Sequence, residues 1–258
     1  MLRIRLADIS DREVIETLCE NNLLGTKILC QINGYGFERD FLFLWLCFDS
    51  NENPLGIISK FEDSVTLIYP YDNGAEDIKA FLDMVGFVSL CCNAETALNL
   101  GYDRVLTKKA YVYVGEYGGE AASDLAEDYY REAYNLISEN IPDSFSESEE
   151  AYFSFLSDFM FRRRRGLARI KGIICEKRVM SCALTSAETD KAAVISGVAC
   201  EASGRKTGLG KKTVLSLAEE LKSENKTAYV IALNEKAEGF YEHIGFELRE
   251  RISFIEGK

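Results

Sequence analysis

Residues 194–210 read VISGVACEASGRKTGLG, and residues 211–226 continue as KKTVLSLAEELKSENK. The first stretch begins with β-branched and small residues, which favour a strand, and ends in the short cationic segment Arg205–Gly210. The second has the spacing of an amphipathic helix, whose apolar stripe is formed by Val214, Leu217, Ala218 and Leu221. A strand, a glycine-containing loop and a helix in this order present free N–H groups at the helix N-terminus, where phosphate groups bind. The stretch therefore predicts a site for a phosphorylated cofactor.

Two common phosphate loops do not fit this stretch. A Walker A loop needs glycine where Arg205 stands and serine or threonine where Lys212 stands. A dinucleotide loop needs a third glycine at the position of Thr213, and the next strand ends at Asn234 without an acidic partner for a ribose. A nucleotide-binding module, which would bind ATP and not coenzyme A, is therefore a weaker interpretation.

Composition narrows the class of protein. The chain has 258 residues, 47% of them hydrophobic, enough for one large domain or two ordinary ones. Its net charge of −12 argues against binding to nucleic acid or to an anionic membrane. The longest apolar run, Phe41–Phe48, falls short of the roughly 20 residues that span a membrane, and the charged N-terminus does not resemble a signal peptide.

The cysteines and the histidine indicate a cytoplasmic protein without a metal. The eight cysteines include no CxxC pair, and most lie in apolar strands, so we expect reduced, buried thiols. The single histidine, His243, leaves almost no material for a Ser-His-Asp triad or a site with several histidine ligands.

The chain is predicted to fold as two similar α/β halves. Gly118 and Gly119 mark the boundary, which gives an N-terminal domain at 1–117 and a C-terminal domain at 120–258. Each half runs hairpin, strand, loop, helix, strand, short helix and strand, a pattern that indicates an internal repeat. The predicted elements of the second half are helices at about Ala122–Asn140, Glu149–Arg164, Gly210–Lys222 and Glu235–Ile244, and strands at about Ala168–Cys175, Arg178–Leu184, Ala192–Cys200, Thr227–Leu233 and Arg249–Ile255.

The corresponding loop of the first half, Tyr69–Asp77, carries the carboxylates of Asp72, Glu76 and Asp77 and no cation. Carboxylates at a helix N-terminus satisfy the free N–H groups themselves and repel a pyrophosphate. We therefore expect one cofactor site per chain.

Two motifs in the second half resemble those of the GNAT N-acetyltransferases. Arg205–Gly210 fits the family's pattern Arg/Gln-x-x-Gly-x-Gly/Ala after a strand. About 24 residues later, a second motif of the family is matched by Asn234, Ala237, Phe240, Tyr241, Gly245 and Phe246. The resemblance covers about Ala121–Glu250, and the whole chain looks like bacterial tandem-GNAT proteins with a degenerate N-terminal half. It implies an α/β (α+β) fold with a mixed, mainly antiparallel central sheet flanked by helices.

The resemblance implies acetyl-CoA as co-substrate and no metal. In this fold two strands splay apart, and the pantetheine pairs with the edge of the first, here through backbone groups of Val198 and Cys200. The N–H groups from Lys206 to Lys211 would cradle the pyrophosphate, and Asn234 would bond the pantetheine amide or cap the next helix. The implied cofactor-binding residues are Val198, Cys200, Arg205, Lys206, Thr207, Gly208, Leu209, Gly210, Lys211, Asn234 and Tyr241.

The implied reaction is direct attack of a primary amine on the thioester. Tyr241 stands where the family has its tyrosine acid, although it could instead be a helix residue packed on the sheet. A phenol with a pKa of about 10 is a weaker acid than a thiol with a pKa of about 8.5, so full proton transfer is uphill by about 2 kcal/mol. We expect Tyr241 to stabilise the thiolate by a hydrogen bond. Glu201 is our first choice for the general base; Glu176, Glu188 and a water relay stay open.

The acceptor is left open between a small-molecule amine and a peptide amine, and so is a homodimer. Tyr152, Phe155 and Phe159 have the spacing of a helix face that packs in the core, although in this family such helices also wall the acceptor pocket. The alternative to an enzyme is a non-catalytic acyl-CoA-binding sensor or partner-binding protein that keeps the pocket without turnover.

Overall fold

The computed structural model describes residues 2–70, 73–142 and 145–257. In chain order the strands are β1 (Arg3–Leu6), β2 (Leu42–Phe48), β3 (Pro54–Phe61), β4 (Ser64–Ile68), β5 (Ser89–Asn93), β6 (Val105–Tyr113), β7 (Ser123–Asp124), β8 (Ile170–Cys175), β9 (Arg178–Glu188), β10 (Ala192–Cys200), β11 (Thr227–Ile231) and β12 (Phe246–Glu256). The α-helices are α1 (Arg12–Cys19), α2 (Leu23–Tyr35), α3 (Ala75–Val85), α4 (Ala94–Leu100), α5 (Tyr130–Asn140), α6 (Glu149–Arg163), α7 (Leu209–Ser223) and α8 (Glu235–His243). Within these ranges no helix is both long and apolar enough to cross a bilayer.

The chain forms two compact units. The first contains Met1–Ala110, Ile231–Glu235 and Leu248–Lys258, and the second contains Tyr111–Val230 and Lys236–Glu247. The division into domains at 1–117 and 120–258 stays a prediction. The units differ from it because most of the last strand, β12, belongs to the first unit. The reason is long-range pairing: Ile252 to Glu256 of β12 pair antiparallel with Asn93 to Ser89 of β5.

In the first unit the strand order is β1-β2-β3-β4-β5-β12. All these pairings are antiparallel except β4 with β5, which run parallel. The core of this unit lies around Leu67, Tyr69, Ile78 and Leu90, each at most 2% exposed.

In the second unit the order is β11-β10-β9-β8-β7, and only β10 and β11 are parallel. The apolar stripe of α7, predicted from the sequence, lies fully buried, and α5 packs its own apolar face around Ala133 and Ile137. The strands of each unit are mixed and mainly antiparallel and are flanked by helices, which confirms the predicted fold class.

The two units repeat one local arrangement. In each, a loop, a glycine in the left-handed region and a helix connect the two strands of a parallel pair. Gly74 precedes α3 with φ 91° and ψ 8°, and Gly208 precedes α7 with φ 93° and ψ −3°. A backbone of this kind favours glycine, because a side chain there is strained. The same turn therefore starts the helix in both units.

Candidate functional site

Strands β10 and β11 separate at the place where the pantetheine is predicted to bind. Their parallel register runs from Ala192 opposite Thr227 to Ile195 opposite Val230 and stops there. On its other edge β10 stays paired with β9 as far as Cys200 opposite Ser181. The last residues of β10 therefore have one edge that β11 does not pair.

The backbone of Cys200 points to this open edge. The N–H of the next residue, Glu201, donates to the Met180 carbonyl of β9 at 2.9 Å. Successive N–H groups along an extended strand point to opposite edges, so the N–H of Cys200 points away from β9. Val198 lies within an irregular part of the strand, so this alternation does not extend to it. Cys200 faces the gap, and the contact of Val198 with the pantetheine stays a prediction.

A bulge in β10 includes Val198 and precedes Cys200. The register with β9 shifts between Ser196 and Ala199, and Gly197 has φ 55°. A Cβ on Gly197 would lie 3.0 Å from side-chain atoms of both Ile137 and Leu184. Only glycine adopts this backbone angle without strain and leaves room for both side chains. Gly197 therefore determines where the bulge forms.

Helix α7 begins at the predicted phosphate loop with its N-terminus uncapped by any side chain. Its first intrahelical bond runs from the Lys212 N–H to the Gly208 carbonyl at 2.9 Å. No acidic residue lies in its first turn. Apart from the Gly210 N–H, which is directed to Cys200, the N–H groups of the first turn and the positive end of the helix dipole remain for an anion.

The cations of the loop differ in their contacts. Lys206 and Lys211 are exposed. Lys212 is paired with Glu120 at 2.8 Å, and Arg205 donates to the Cys200 carbonyl at 3.3 Å and to Asn140 Oδ1 at 2.8 Å. The loop therefore keeps a positive charge on its exposed side, while Arg205 is directed toward helix α5.

Cys200 also touches the start of α7. Burial raises the pKa of its thiol, while the Gly210 N–H and the charge of Arg205 act in the opposite direction. The thiol is therefore protonated near neutral pH. The Gly210 N–H is directed to this sulfur, so it is less free for a phosphate than the sequence led us to expect.

A buried pair of hydroxyls fixes α7 against the sheet. Thr213 Oγ1 donates to Ser181 Oγ at 3.0 Å, and it also lies 3.0 Å from the Leu209 carbonyl of its own helix. Ser181 Oγ donates to the Ala199 carbonyl at 3.1 Å. The pair joins the first turn of α7 to β9 and β10, beside the gap between the strands.

Tyr241 lies inside an aromatic cluster. It is 6% exposed, and its ring lies 5.5 Å from that of Phe246 and 6.4 Å from that of Tyr111. Burial raises the pKa of its phenol well above the usual range. A weaker acid transfers its proton to a thiolate still less readily, which limits Tyr241 to hydrogen-bond donation.

The three carboxylates considered as general base lie in different settings. Glu188 is fully buried, paired with Lys226 at 2.8 Å and with Arg169, at the end of the sheet away from the loop. Glu176 lies at the tip of the β8–β9 hairpin. Glu201 is half-buried directly after β10, so among these three it alone lies beside the gap.

The aromatic residues of α5 and α6 pack against one another. Tyr134 lies 5.2 Å from Tyr152 and 5.0 Å from Phe155, and Phe155 stacks on Phe159 at 5.5 Å. Tyr152 and Phe159 are buried, as a core face requires. Arg162, near the end of α6, is also buried; it pairs with Asp158 and donates to the Ser186 carbonyl at 3.0 Å.

The corresponding place in the first unit is bridged by a side chain. Strands β4 and β5 pair from Ser64 to Thr66, after which the buried ring of Tyr69 packs in the core. Thr96 Oγ1 donates to the Tyr69 carbonyl at 2.7 Å, so this backbone acceptor, directly after β4, is already bonded within the protein. The start of α3 carries Glu76 and Asp77; Tyr71 and Asp72 lie outside the described residues.

Asn234 precedes α8 and belongs to the first compact unit, so its contact with the cofactor stays a prediction. Over the described residues, no group of three or more histidine, cysteine, aspartate or glutamate side chains is arranged to hold a metal ion.

Comparison with known proteins identifies the fold. Residues 172–255 match the family described as FR47-like protein, which is related to GNAT proteins. The chain is similar to a GNAT-family acetyltransferase from Colwellia psychrerythraea, with 14% identity, a TM-score of 0.64 and coverage of 99% of this chain and 100% of that one. No curated protein sequence matches the chain.

Two further structures are similar over almost the whole chain. A tandem GNAT protein from the clavulanic acid biosynthesis pathway has 12% identity and a TM-score of 0.61, with 99% of this chain and 98% of that one covered. A GCN5-related N-acetyltransferase from Sphaerobacter thermophilus has 12% identity and a TM-score of 0.63, with 99% and 95% covered. The chain thus has the GNAT fold in its tandem form, and the resemblance inferred from its motifs is confirmed.

Proposed function

We propose that this protein transfers the acetyl group of acetyl-CoA to a primary amine. The observation that carries the proposal is the gap between β10 and β11, which leads directly into the cationic loop and the uncapped start of α7. A ligand with a hydrogen-bonding arm and a pyrophosphate matches both parts.

The roles of the residues follow from this placement. Backbone groups of Val198 and Cys200 bind the pantetheine arm, and the N–H groups from Lys206 to Lys211 bind the pyrophosphate. Gly208 allows a phosphate to approach the backbone closely, because a Cβ at this position would take up the open space in front of it. Lys206 and Lys211 add charge, Thr207 and Leu209 supply backbone contacts, and Asn234 bonds the pantetheine amide.

The reaction needs three groups besides the cofactor. The neutral amine attacks the thioester carbonyl and forms the C–N bond, and the oxyanion of the tetrahedral intermediate accepts from the N–H of Cys200. Glu201, or a water next to it, takes the proton that the amine loses. The C–S bond then breaks, and the thiolate takes a proton from solvent while Tyr241 donates a hydrogen bond to it.

The test is calorimetric titration with coenzyme A. We expect one binding site per chain, with binding lost in Arg205→Glu and kept in Arg164→Glu, a charge reversal at an exposed arginine of α6's end. Acetyl-CoA that fails to bind at millimolar concentration would contradict the proposal. Tight binding of ATP in place of coenzyme A would favour a nucleotide module.

One observation favours the alternative, a protein that binds acyl-CoA without turnover. Tyr241 is buried in an aromatic cluster with a raised pKa, as a purely structural tyrosine would be. Tyr241→Phe separates the two functions, since it removes only the hydroxyl. An enzyme loses turnover and keeps its affinity for coenzyme A, whereas in a sensor neither changes.

The acceptor is proposed to be a small-molecule or peptide amine. A cytoplasmic location and a homodimer stay predictions.

A further inference from the structure

We propose that Asn140 is a positioning residue for the cofactor, which holds Arg205 across the end of β10. This inference rests on the proposed function, because it assigns the way in which the phosphate loop is held. Arg205 donates from Nη2 to Asn140 Oδ1 at 2.8 Å and from Nε to the Cys200 carbonyl at 3.3 Å. One guanidinium thus joins a helix, the loop and the strand that borders the gap.

The amide of Asn140 is oriented by its own helix. Its Nδ2 donates to the Leu136 carbonyl at 2.8 Å, which leaves Oδ1 directed at Arg205. An amide whose donor side is already bonded presents its acceptor in a fixed direction. Asn140 is the last residue of α5, and it is half-buried.

Helix α5 is itself anchored. Leu136 and Ile137 are buried, and Glu132 accepts from the Val179 N–H of β9 at 3.0 Å. The sheet holds α5, and α5 holds Arg205 through Asn140. Without these contacts, Arg205 would be as mobile as other side chains of an exposed loop.

The consequence for the cofactor follows from the other bond of Arg205. The Cys200 carbonyl lies on the same edge as the Cys200 N–H, which faces the gap. A guanidinium held there keeps a positive charge beside the first turn of α7. Asn140 therefore raises affinity for the part of the cofactor that carries phosphate, and it does so only through Arg205.

The experiment is a double-mutant cycle on coenzyme A affinity with Asn140→Ala, Arg205→Ala and both together. A hydrogen bond to a charged group predicts a loss of about tenfold for Asn140→Ala. In the absence of Arg205 the same change is expected to have no effect, because the acceptor has lost its donor. Asn135→Ala, at an exposed position of the same helix, is the matched control and should be additive with Arg205→Ala.

A second readout distinguishes positioning from general stability. Pantetheine lacks the phosphates, and ligand-observed NMR measures its weak binding to the wild type and the variants. We expect Asn140→Ala to leave this affinity unchanged. Equal losses for coenzyme A and pantetheine, or additive effects in the cycle, would overturn the inference. If the wild type does not bind coenzyme A, the proposed function itself fails.

Discussion

Replacing Gly208 tests whether phosphate groups lie at the start of helix α7. Gly208 has φ 93°, and a Cβ at this position would meet no atom within 4 Å. Asn and Asp enter this backbone region more easily than other residues, and they have nearly the same shape. Gly208→Asp and Gly208→Asn therefore differ mainly by one negative charge.

The size of the charge effect follows from Coulomb's law. Two unit charges about 4 Å apart interact by about 1 kcal/mol in water and by about 4 kcal/mol at an effective dielectric constant of about 20. For the exposed Gly208 we take about 2 kcal/mol, which corresponds to a roughly 30-fold weaker affinity for coenzyme A in the aspartate variant than in the asparagine variant. Added salt should reduce this difference, because it screens exposed charges.

The assay is titration calorimetry of both variants at low and high ionic strength. Equal affinities for the two would show that no phosphate charge lies near residue 208. Wild-type affinity in both would place the cofactor elsewhere, and the role assigned to the loop would be wrong.

Three further changes are expected to alter stability in the second unit. Thr213→Val removes the buried hydroxyl that meets Ser181, so chemical denaturation should show a loss of about 1–2 kcal/mol, and unchanged stability would contradict that role. Gly197→Ala places a Cβ on a left-handed backbone and into two side chains; we expect a loss of about 2 kcal/mol, and a stabilised variant would refute the argument. Hydrogen bonds from Arg169 lower the pKa of the Glu224 carboxyl to about 2. Because the pKa of Glu224 is lower in the folded than in the unfolded state, its ionised carboxylate stabilises the fold fully above pH about 4.5. This stabilisation is lost as the pH falls toward 2, and Glu224→Gln should abolish this part of the pH dependence of stability.

The local features of the site could be predicted from the sequence. Strand Ala192–Cys200 has the predicted bounds, since β-branched and small residues favour extended backbone. Helix α7 begins and ends within one residue of the predicted range because its apolar spacing and the glycines before it are local signals. Helix α2 could not be predicted from its pattern, because its apolar residues are not confined to one face and Gly25 and Gly34 weaken the signal.

Features that depend on distant partners could not be predicted. The last strand was expected within the C-terminal half, but it pairs with β5, about 160 residues earlier in the chain, and strand register is not encoded locally. Glu188 was considered as a base because it lies near a strand end, yet Arg169 and Lys226 neutralise it. The bond between Arg205 and Asn140 likewise joins residues 65 positions apart.

The buried ring of Tyr69 in the first unit has a consequence for protein engineering. Tyr69 has a buried ring that lies beside Gly56 and Gly74, and its hydroxyl donates to the Asn73 carbonyl. Tyr69→Ala would leave a void shaped like the lost ring, and voids with apolar walls accept small aromatic guests. Added p-cresol, the side chain of tyrosine as a free molecule, should therefore raise the lowered melting temperature of this variant part of the way back. The first unit would then serve as a receptor for a designed ligand.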